Sequence, residues 1–376
     1  MGTLSGITII EIAGIGPAPF AGMMLADHGA AVIRIDRPGS ADDSSDVLRR
    51  GRRSIALDLK RPEAIAIVRD LARRADGLIE GFRPGVMERL GLGPDVLLAD
   101  NPRLAYGRMT GWGQTGPLSA LAGHDINYAA IAGVLGAIGR AGEAPVAPLN
   151  LVADFGGGGM LLAFAMTAAI LHARGGGPGQ VIDCAMTEGA SLLMAMIWGF
   201  RASGRWSDER GTNLLDTGAP FYDSYACRDG GHVAIGAIEP QFYTALRTTL
   251  GLADDPAFAV QFDAAGWPAL KARLAALFAT RTRAEWETIF ADTDLCFAPV
   301  LTLAEAPAHP HAVARGSFVA PGGVTQPAPA PLFSATPAGV PQAPRAPGAD
   351  AAAVLRDIGY DEARVAALVT AGVVGA

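Results

Sequence analysis

Short apolar runs alternate with stretches of helical periodicity through the first 110 residues. Residues 7–12 (Ile-Thr-Ile-Ile-Glu-Ile) and 31–36 (Ala-Val-Ile-Arg-Ile-Asp) predict buried strands, with a helix over 19–28 between them. The pattern repeats as strand 54–59, helix 62–74 with Pro62 in its first turn, strand 77–82, short helix 85–90 and strand 104–109. Alternation of this kind predicts an α/β fold with a mainly parallel sheet and helices on both faces. Such a sheet binds its ligands outside the carboxyl ends of the strands.

Further on, an Asp followed by Phe and four glycines (154–159) leads into an apolar run that predicts a helix to about residue 174. A strand over 181–185 and a helix over 186–200 follow, the helix carrying Met186, Met194 and Met196. Such a methionine stripe suits either core or a surface that accepts differently shaped apolar groups. From Pro220 the pattern changes. Runs 221–227 and 232–237 predict a hairpin about Arg228-Asp229-Gly230-Gly231, and helices are expected over 240–250, 267–279 and 283–291. The expected organisation is a large Rossmann-like domain over 1–186, a linker over 187–216 and a small α+β domain over 217–299. A Pro/Ala-rich linker over 300–349 follows, then C-terminal helices over 350–376 that pack on the large domain.

Composition narrows the partners. The net charge of −7 and the scattered basic residues argue against nucleic acid. Three cysteines without metal spacing predict a reduced, cytoplasmic protein. The start of the chain runs straight into a strand pattern, with no signal-peptide character. The apolar stretch 155–171 approaches membrane-spanning length, but its glycine-rich start and the absence of a basic flank there predict a buried core helix and no membrane association.

Candidate chemistry gathers between residues 123 and 159. Gly123-His124-Asp125-Ile126-Asn127-Tyr128 supplies an imidazole and a carboxylate. Asn150-Leu151-Val152-Ala153-Asp154 supplies a second carboxylate, expected to open the following helix as its N-cap. Helix-start N–H groups stabilise an anion, and the glycines would let a ligand approach the backbone. The set suits proton transfer next to a carbonyl. A loop histidine and an ordinary N-cap fit the same spacing. Gly14 and Gly16 match two glycines of the dinucleotide fingerprint, but Pro19 takes the place of the third, which argues against NAD. Arg34, Arg37, Arg52, Arg53, Lys60, Arg61, Arg83 and Arg108 lie near strand ends. They read either as a solvated rim or as a site for a multiply phosphorylated ligand.

Several motifs together resemble a known family. They include Glu11-Ile12-Ala13-Gly14-Ile15-Gly16-Pro17, Ile35-Asp36-Arg37-Pro38, Asp58-Leu59-Lys60, Gly81-Phe82-Arg83-Pro84-Gly85, Met109-Thr110-Gly111-Trp112, the His124 and Asp154 motifs, and Gly236-Ala237-Ile238-Glu239-Pro240. The chain resembles the family III CoA-transferase (CaiB/BaiF) superfamily and, within it, the alpha-methylacyl-CoA racemases. The resemblance implies an interlocked-ring homodimer whose site lies between the large domain of one subunit and the small domain of the other. It implies an acyl-CoA thioester substrate and no cofactor or metal beyond the CoA of that substrate. His124, supported by Glu239, and Asp154, coupled to Asp125, would be the acid–base pair, with the N–H of Asp154 holding the thioester oxygen. Arg37, Lys60 and Arg83 would contact the CoA phosphates, Asn150 would position the thioester, and Ile15, Gly16, Asp58, Leu59 and Tyr128 would complete the binding set. The alternative within the superfamily is CoA transfer between carboxylic acids through an aspartyl-CoA intermediate at Asp154. Transferases generally lack a histidine matching His124, so its presence favours racemisation.

Overall fold

The computed structural model describes residues 2–375. The chain forms two compact units. One comprises the chain through Ala132, Leu149–Leu193 and the chain from Pro310 onward; the other comprises Gly133–Pro148 and Met194–His309. Residues 133–148, expected in the large domain, therefore associate with the second unit, as do 194–216 and 300–309 from the expected linkers.

The first unit is built on a seven-stranded sheet. Its strands are β1 (Thr8–Ile12), β2 (Ala31–Asp36), β3 (Arg53–Leu57), β4 (Gly77–Glu80), β5 (Ala105–Thr110) and β6 (Gln180–Ala185). The second unit carries β7 (Tyr222–Ala226), β8 (His232–Gly236) and β9 (Phe297–Val300). After them come a small antiparallel pair, β10 (Phe318–Val319) and β11 (Gln326–Pro327), and then β12 (Val374–Gly375). The large sheet runs β12-β3-β2-β1-β4-β5-β6, parallel except for β12, which pairs antiparallel with β3. The order 3-2-1-4-5-6 is the doubly wound arrangement, and its strand order reverses between β1 and β4.

The sequence explains these elements. Ile9 and Ile10 point to opposite faces and both are fully buried, as expected for a sheet covered on both sides. Ile10, Ile12, Ile33, Ile35, Ile55 and Leu57 share one core with Val354, Leu355 and Ile358 from near the chain end. Each such side chain contributes about 1.5–3 kcal/mol by leaving water. Pro17 and Pro62 begin the helices Pro17–Asp27 and Pro62–Ala72, where their missing N–H is not needed. On the other face, helix Leu161–Arg174 drops Met166 onto β4 and β5. A Cβ at Gly77 or Gly107 would lie 2.5 Å from Met166 Cε or 2.7 Å from its Sδ. The predicted 186–200 helix is two helices, Met186–Leu193 and Ala195–Ala202, separated at Met194.

The second unit is an antiparallel three-stranded sheet, β7-β8-β9, with helices Pro240–Thr249, Trp267–Phe278 and Arg283–Phe290. Its core is aromatic, centred on Phe221, Tyr225, Phe278 and Trp286. Asp223 is buried there between Arg140 and Lys271, at 2.9 Å from each. Arg140 comes from the 133–148 segment, and this ion pair is one contact that draws the segment into the second unit.

Candidate active site

A cavity of about 560 Å³ opens at the carboxyl edge of the large sheet, where the strand order reverses. Its walls are the Ile15–Ala18 turn after β1, the Gly81–Pro84 turn after β4, Met109–Trp112 at the end of β5, and His124, Tyr128, Asn150 and Asp154. Gly16 makes the first turn in the left-handed region (φ 70°), and a Cβ there would sit 3.4 Å from Asp154 Oδ2. Ile15, Gly16, Arg83, His124, Tyr128, Asn150 and Asp154 are thus brought together as expected.

Other expected residues stand elsewhere. Arg37 follows β2 and Asp58, Leu59 and Lys60 follow β3, on the same carboxyl edge but outside this cavity. Glu239 belongs to the second unit, where it caps helix Pro240–Thr249 and is exposed. The basic rim is smaller than its sequence suggests. Arg34 and Arg52 are buried and bind Glu11, Arg34 also binds Asp36 at 3.0 Å, and Arg108 binds Glu80 at 2.9 Å and Glu88 at 2.7 Å. Arg53 pairs with Asp357 at 2.7 Å. The exposed Arg37, Lys60 and Arg83 keep their charges toward solvent.

The segment carrying Asp154 departs most from expectation. Asp154 does not open the helix. Asn150 is the cap, and Leu151–Met160 winds as a π-helix before continuing as Leu161–Arg174. The first wide turn is closed by the N–H of Phe155 on the carbonyl of Asn150, 3.3 Å away. Leu149 enters it at φ 57°, a strained value for a leucine. π-turns inside α-helices frequently mark functional sites. The glycines serve packing rather than ligand approach. A Cβ on Gly157 would be 2.5 Å from Ala190 N, and one on Gly189 would be 1.8 Å from Gly157 O. On the other side, Gly159 packs against Phe20 and the carbonyl of Pro17. The wide turn therefore lies locked between helices Pro17–Asp27 and Met186–Leu193, with Asp154 presented to the cavity.

Asp125 ties the two halves of the site together. Its buried carboxylate accepts hydrogen bonds through Oδ2 from the N–H groups of Ala153 and Asp154, each at 2.8 Å. Its other oxygen is buried without a hydrogen-bond partner. Asp125 directly follows His124, which caps helix Asp125–Ile131, so one side chain fixes the imidazole-bearing turn against the Asp154 turn. Because the Asp154 N–H is already donated to Asp125, it does not serve as the free oxyanion donor the sequence suggested. The helix start after His124 is partly used as well: the Asn127 N–H bonds the His124 carbonyl at 2.8 Å, which leaves only Asp125 and Ile126 without an intrahelical acceptor.

The electrostatics follow from this arrangement. Burial raises the Asp154 carboxyl above the usual carboxylate range, and the Asp125 charge raises it further; the side-chain amide of Asn150, 3.5 Å away, and His124 pull the other way. A carboxyl held toward neutral pH suits an acid–base group. Sequence reasoning missed Trp112. It lines the cavity and meets Tyr128 edge-on at 4.8 Å, while the Tyr128 hydroxyl donates to the carbonyl of Gly123. A Cβ on Gly111 or Gly123 would enter the Tyr128 ring. A glycine before each of Trp112 and His124, with an aromatic near each, was the available signal. Among the described residues no group of three or more His, Cys, Asp or Glu side chains is placed to hold a metal.

The doubly wound sheet thus brings an Asp and a His together at its switch point, where folds of this class hold their ligands. The comparison with protein families is then decisive: residues 4–351 match the model of CoA-transferase family III, and the chain belongs to that family. It is 48% identical to the mouse protein named alpha-methylacyl-CoA racemase over 96% of this chain and 95% of the mouse protein, and 47% identical to the human one over the same shares. A succinyl-CoA–D-citramalate CoA-transferase from Chloroflexus aurantiacus is 31% identical over 90% of this chain and 89% of that protein. The crystal structure of a CaiB/BaiF family protein from Brucella suis superposes with a TM-score of 0.82 at 28% identity, covering 95% of this chain and 99% of that one.

Proposed function

We propose that this protein is an isomerase that interconverts (2R)- and (2S)-2-methylacyl-CoA thioesters by a 1,1-proton transfer. The observation that carries the reading is His124 in the same cavity as Asp154, in a chain 48% identical to a racemase over nearly its full length. In this reading one of the two groups removes the α-proton, and the electron pair moves onto the thioester oxygen as an enolate. The other group then returns a proton to the opposite face of the carbon. The reverse epimer uses the same groups in exchanged roles. A hydrogen-bond donor at the enolate oxygen contributes on the order of 10²–10³ in rate.

Arg37, Lys60 and Arg83 take the CoA phosphates, and Asn150 orients the thioester beside Asp154. Glu239 supports His124, contributed by a second copy of the chain in a homodimer. Exposed Phe164, Leu171, Leu192, Leu193, Met196 and Trp198 support such an interface. The helical run Leu151–Arg174 is long and apolar enough to cross a membrane (mean hydropathy 1.5), yet Met166 lies against the sheet, and we assign its exposed side to the second copy. The three cysteines form no disulfide, which supports a cytoplasmic location. Sedimentation of an active monomer at working concentration would remove the homodimer from this scheme.

The test is to incubate one 2-methylacyl-CoA epimer in deuterated water with no acceptor acid. The expected result is deuterium at the α-carbon and the appearance of the other epimer, with the thioester intact. Strict dependence on a second carboxylic acid, without α-exchange, would assign Asp154 instead to CoA transfer.

A further inference from the structure

We propose that the arginine-lined cleft at the amino ends of β4 and β5 is a second anion site, one that takes the diphosphate group of a small ligand. The cleft has a volume of about 540 Å³, and its polar lining is Arg73, Arg74, Asp76, Asn101, Arg103 and Arg174. Ala75 and Asp76 lead into β4, and Arg103 leads into β5. The acyl-CoA cavity lies beyond the other ends of these strands. From Asp76 to Gly81 the extended chain covers about 17 Å, so the two sites do not merge.

Four arginines and one aspartate leave the lining three charges positive, in a protein whose net charge is −7. Arginines at helix ends often only complement the helix dipole. Three observations set this cleft apart. First, its acidic oxygens are already satisfied. Asp76 holds Arg174 through both oxygens, at 3.0 and 3.1 Å, and also takes the N–H of Thr8 at 2.8 Å. Asp100, behind the lining, holds Arg69 at 2.6 and 3.0 Å and Arg73 at 3.3 Å. Second, carbonyls that would repel an anion are capped. The Asn101 side-chain amide donates to Ala72 O and Ala75 O, both at 2.9 Å, at the carbonyl end of helix Pro62–Ala72.

Third, donors remain unused. The Arg103 guanidinium makes no hydrogen bond or ion pair among the described residues, and its only anchor is its backbone N–H, 3.1 Å from Asn101 Oδ1. Arg74 reaches only a carbonyl, that of Asp357, at 3.1 Å. Arg103 therefore comes from a loop and Arg74 from just past a helix end, and both present forks that match phosphate oxygens bidentately. Ile170 and Ala173 form an apolar floor on which the organic part of a phosphorylated ligand would rest.

The test uses the full-length protein with inorganic pyrophosphate and, separately, ADP, read by calorimetry and by amide hydrogen exchange. Pyrophosphate is expected to protect the backbone around residues 73–76 and 101–104. Arg74→Gln/Arg103→Gln is expected to weaken that binding about tenfold or more, the loss of two charge-assisted contacts, while leaving racemisation unchanged. Arg103→Gln alone removes a side chain without partners, so it keeps the fold and should show part of the loss. ADP binding tighter than pyrophosphate would assign the site to a nucleotide-like ligand, and equal binding would assign it to free diphosphate. Protection confined to residues 37–38, 58–60 and 81–84, absence of binding at millimolar pyrophosphate, or equal binding by the double variant would overturn the proposal.

Discussion

Two regions of the large unit bury carboxylates, and they treat them oppositely. Beneath β1–β3, Glu11 is fully buried, and two guanidinium groups neutralise it: Arg34 and, at 2.9 Å, Arg52. Arg34 in turn meets Asp36 and the Gly14 carbonyl. Above the same sheet edge, Asp125 and Asp154 lie close together, and among the described residues no cation is bonded to either. A fully paired buried charge holds a fold in one arrangement, whereas breaking it is costly. Asp154, buried without such a partner, instead has its proton affinity raised, which suits proton transfer. In the proposed function, the difference separates a structural acid from a reactive one on either side of the same turn.

The largest effect expected on turnover comes from Asp154→Asn. Loss of a proton-transfer group should lower kcat/KM for racemisation by about 10²–10⁴-fold. The same change should stabilise the fold. Burial and Asp125 raise the folded-state pKa of Asp154, so the ionised carboxylate opposes folding. That cost is absent below the unfolded pKa and grows as pH rises through the folded pKa. Denaturant melts should therefore show the variant's advantage to be larger at pH 8 than at pH 4. An advantage that did not grow with pH would contradict the burial of this charge.

His124→Gln should cost about 10²-fold in racemisation. With Asp154 intact, one epimer should still exchange its α-proton with solvent without inverting, while the other should nearly cease to exchange. Equal residual exchange of both epimers would mean that the two groups do not flank the carbon. A smaller change is expected from Asp125→Asn, roughly tenfold in rate, because the amide oxygen can still accept the N–H groups of Ala153 and Asp154. Its diagnostic is the pH profile. Removal of the Asp125 charge lowers the Asp154 pKa, so the acid limb of kcat/KM should move to lower pH; an unmoved limb would show that Asp125 only ties the turns together.

Glu11→Gln should affect turnover least and stability most. Two arginines lose their buried counter-charge, and a destabilisation of about 3–5 kcal/mol is expected from such a break. The rate per folded molecule should hold. A fall in rate at unchanged stability would place the Glu11 network inside the reactive site and erase the contrast between the two regions.

The sequence made the parallel sheet legible because Ile9, Ile10, Ile33 and Ile35 belong to short, mostly apolar runs without strict alternation, as a sheet buried on both faces demands. His124, Asp154, Asn150 and Arg83 were also legible, through motifs whose spacing survives folding. Partners far apart in sequence were not. Arg34, Arg52 and Arg108 look like a cationic rim until the fold places Glu11 and Glu80 against them. The π-helix was equally hidden, since it arises from the fit of Gly157–Gly159 between two neighbouring helices rather than from a preference of its own residues. Nothing in the sequence singled out Arg140, whose buried partner Asp223 lies 83 positions later.

The antiparallel seam between β3 and β12 sets the order in which the molecule can be made. β3 emerges from the ribosome 317 residues before the strand that covers its edge. At synthesis rates of about 5–20 residues per second, that edge waits roughly 15 to 60 seconds for its partner. During this interval the entire second unit is translated and is free to fold, while the nascent large sheet presents unpaired N–H and C=O groups. Growth temperature and chaperone supply should therefore govern the yield of this protein more through β3 than through any residue at the catalytic pocket.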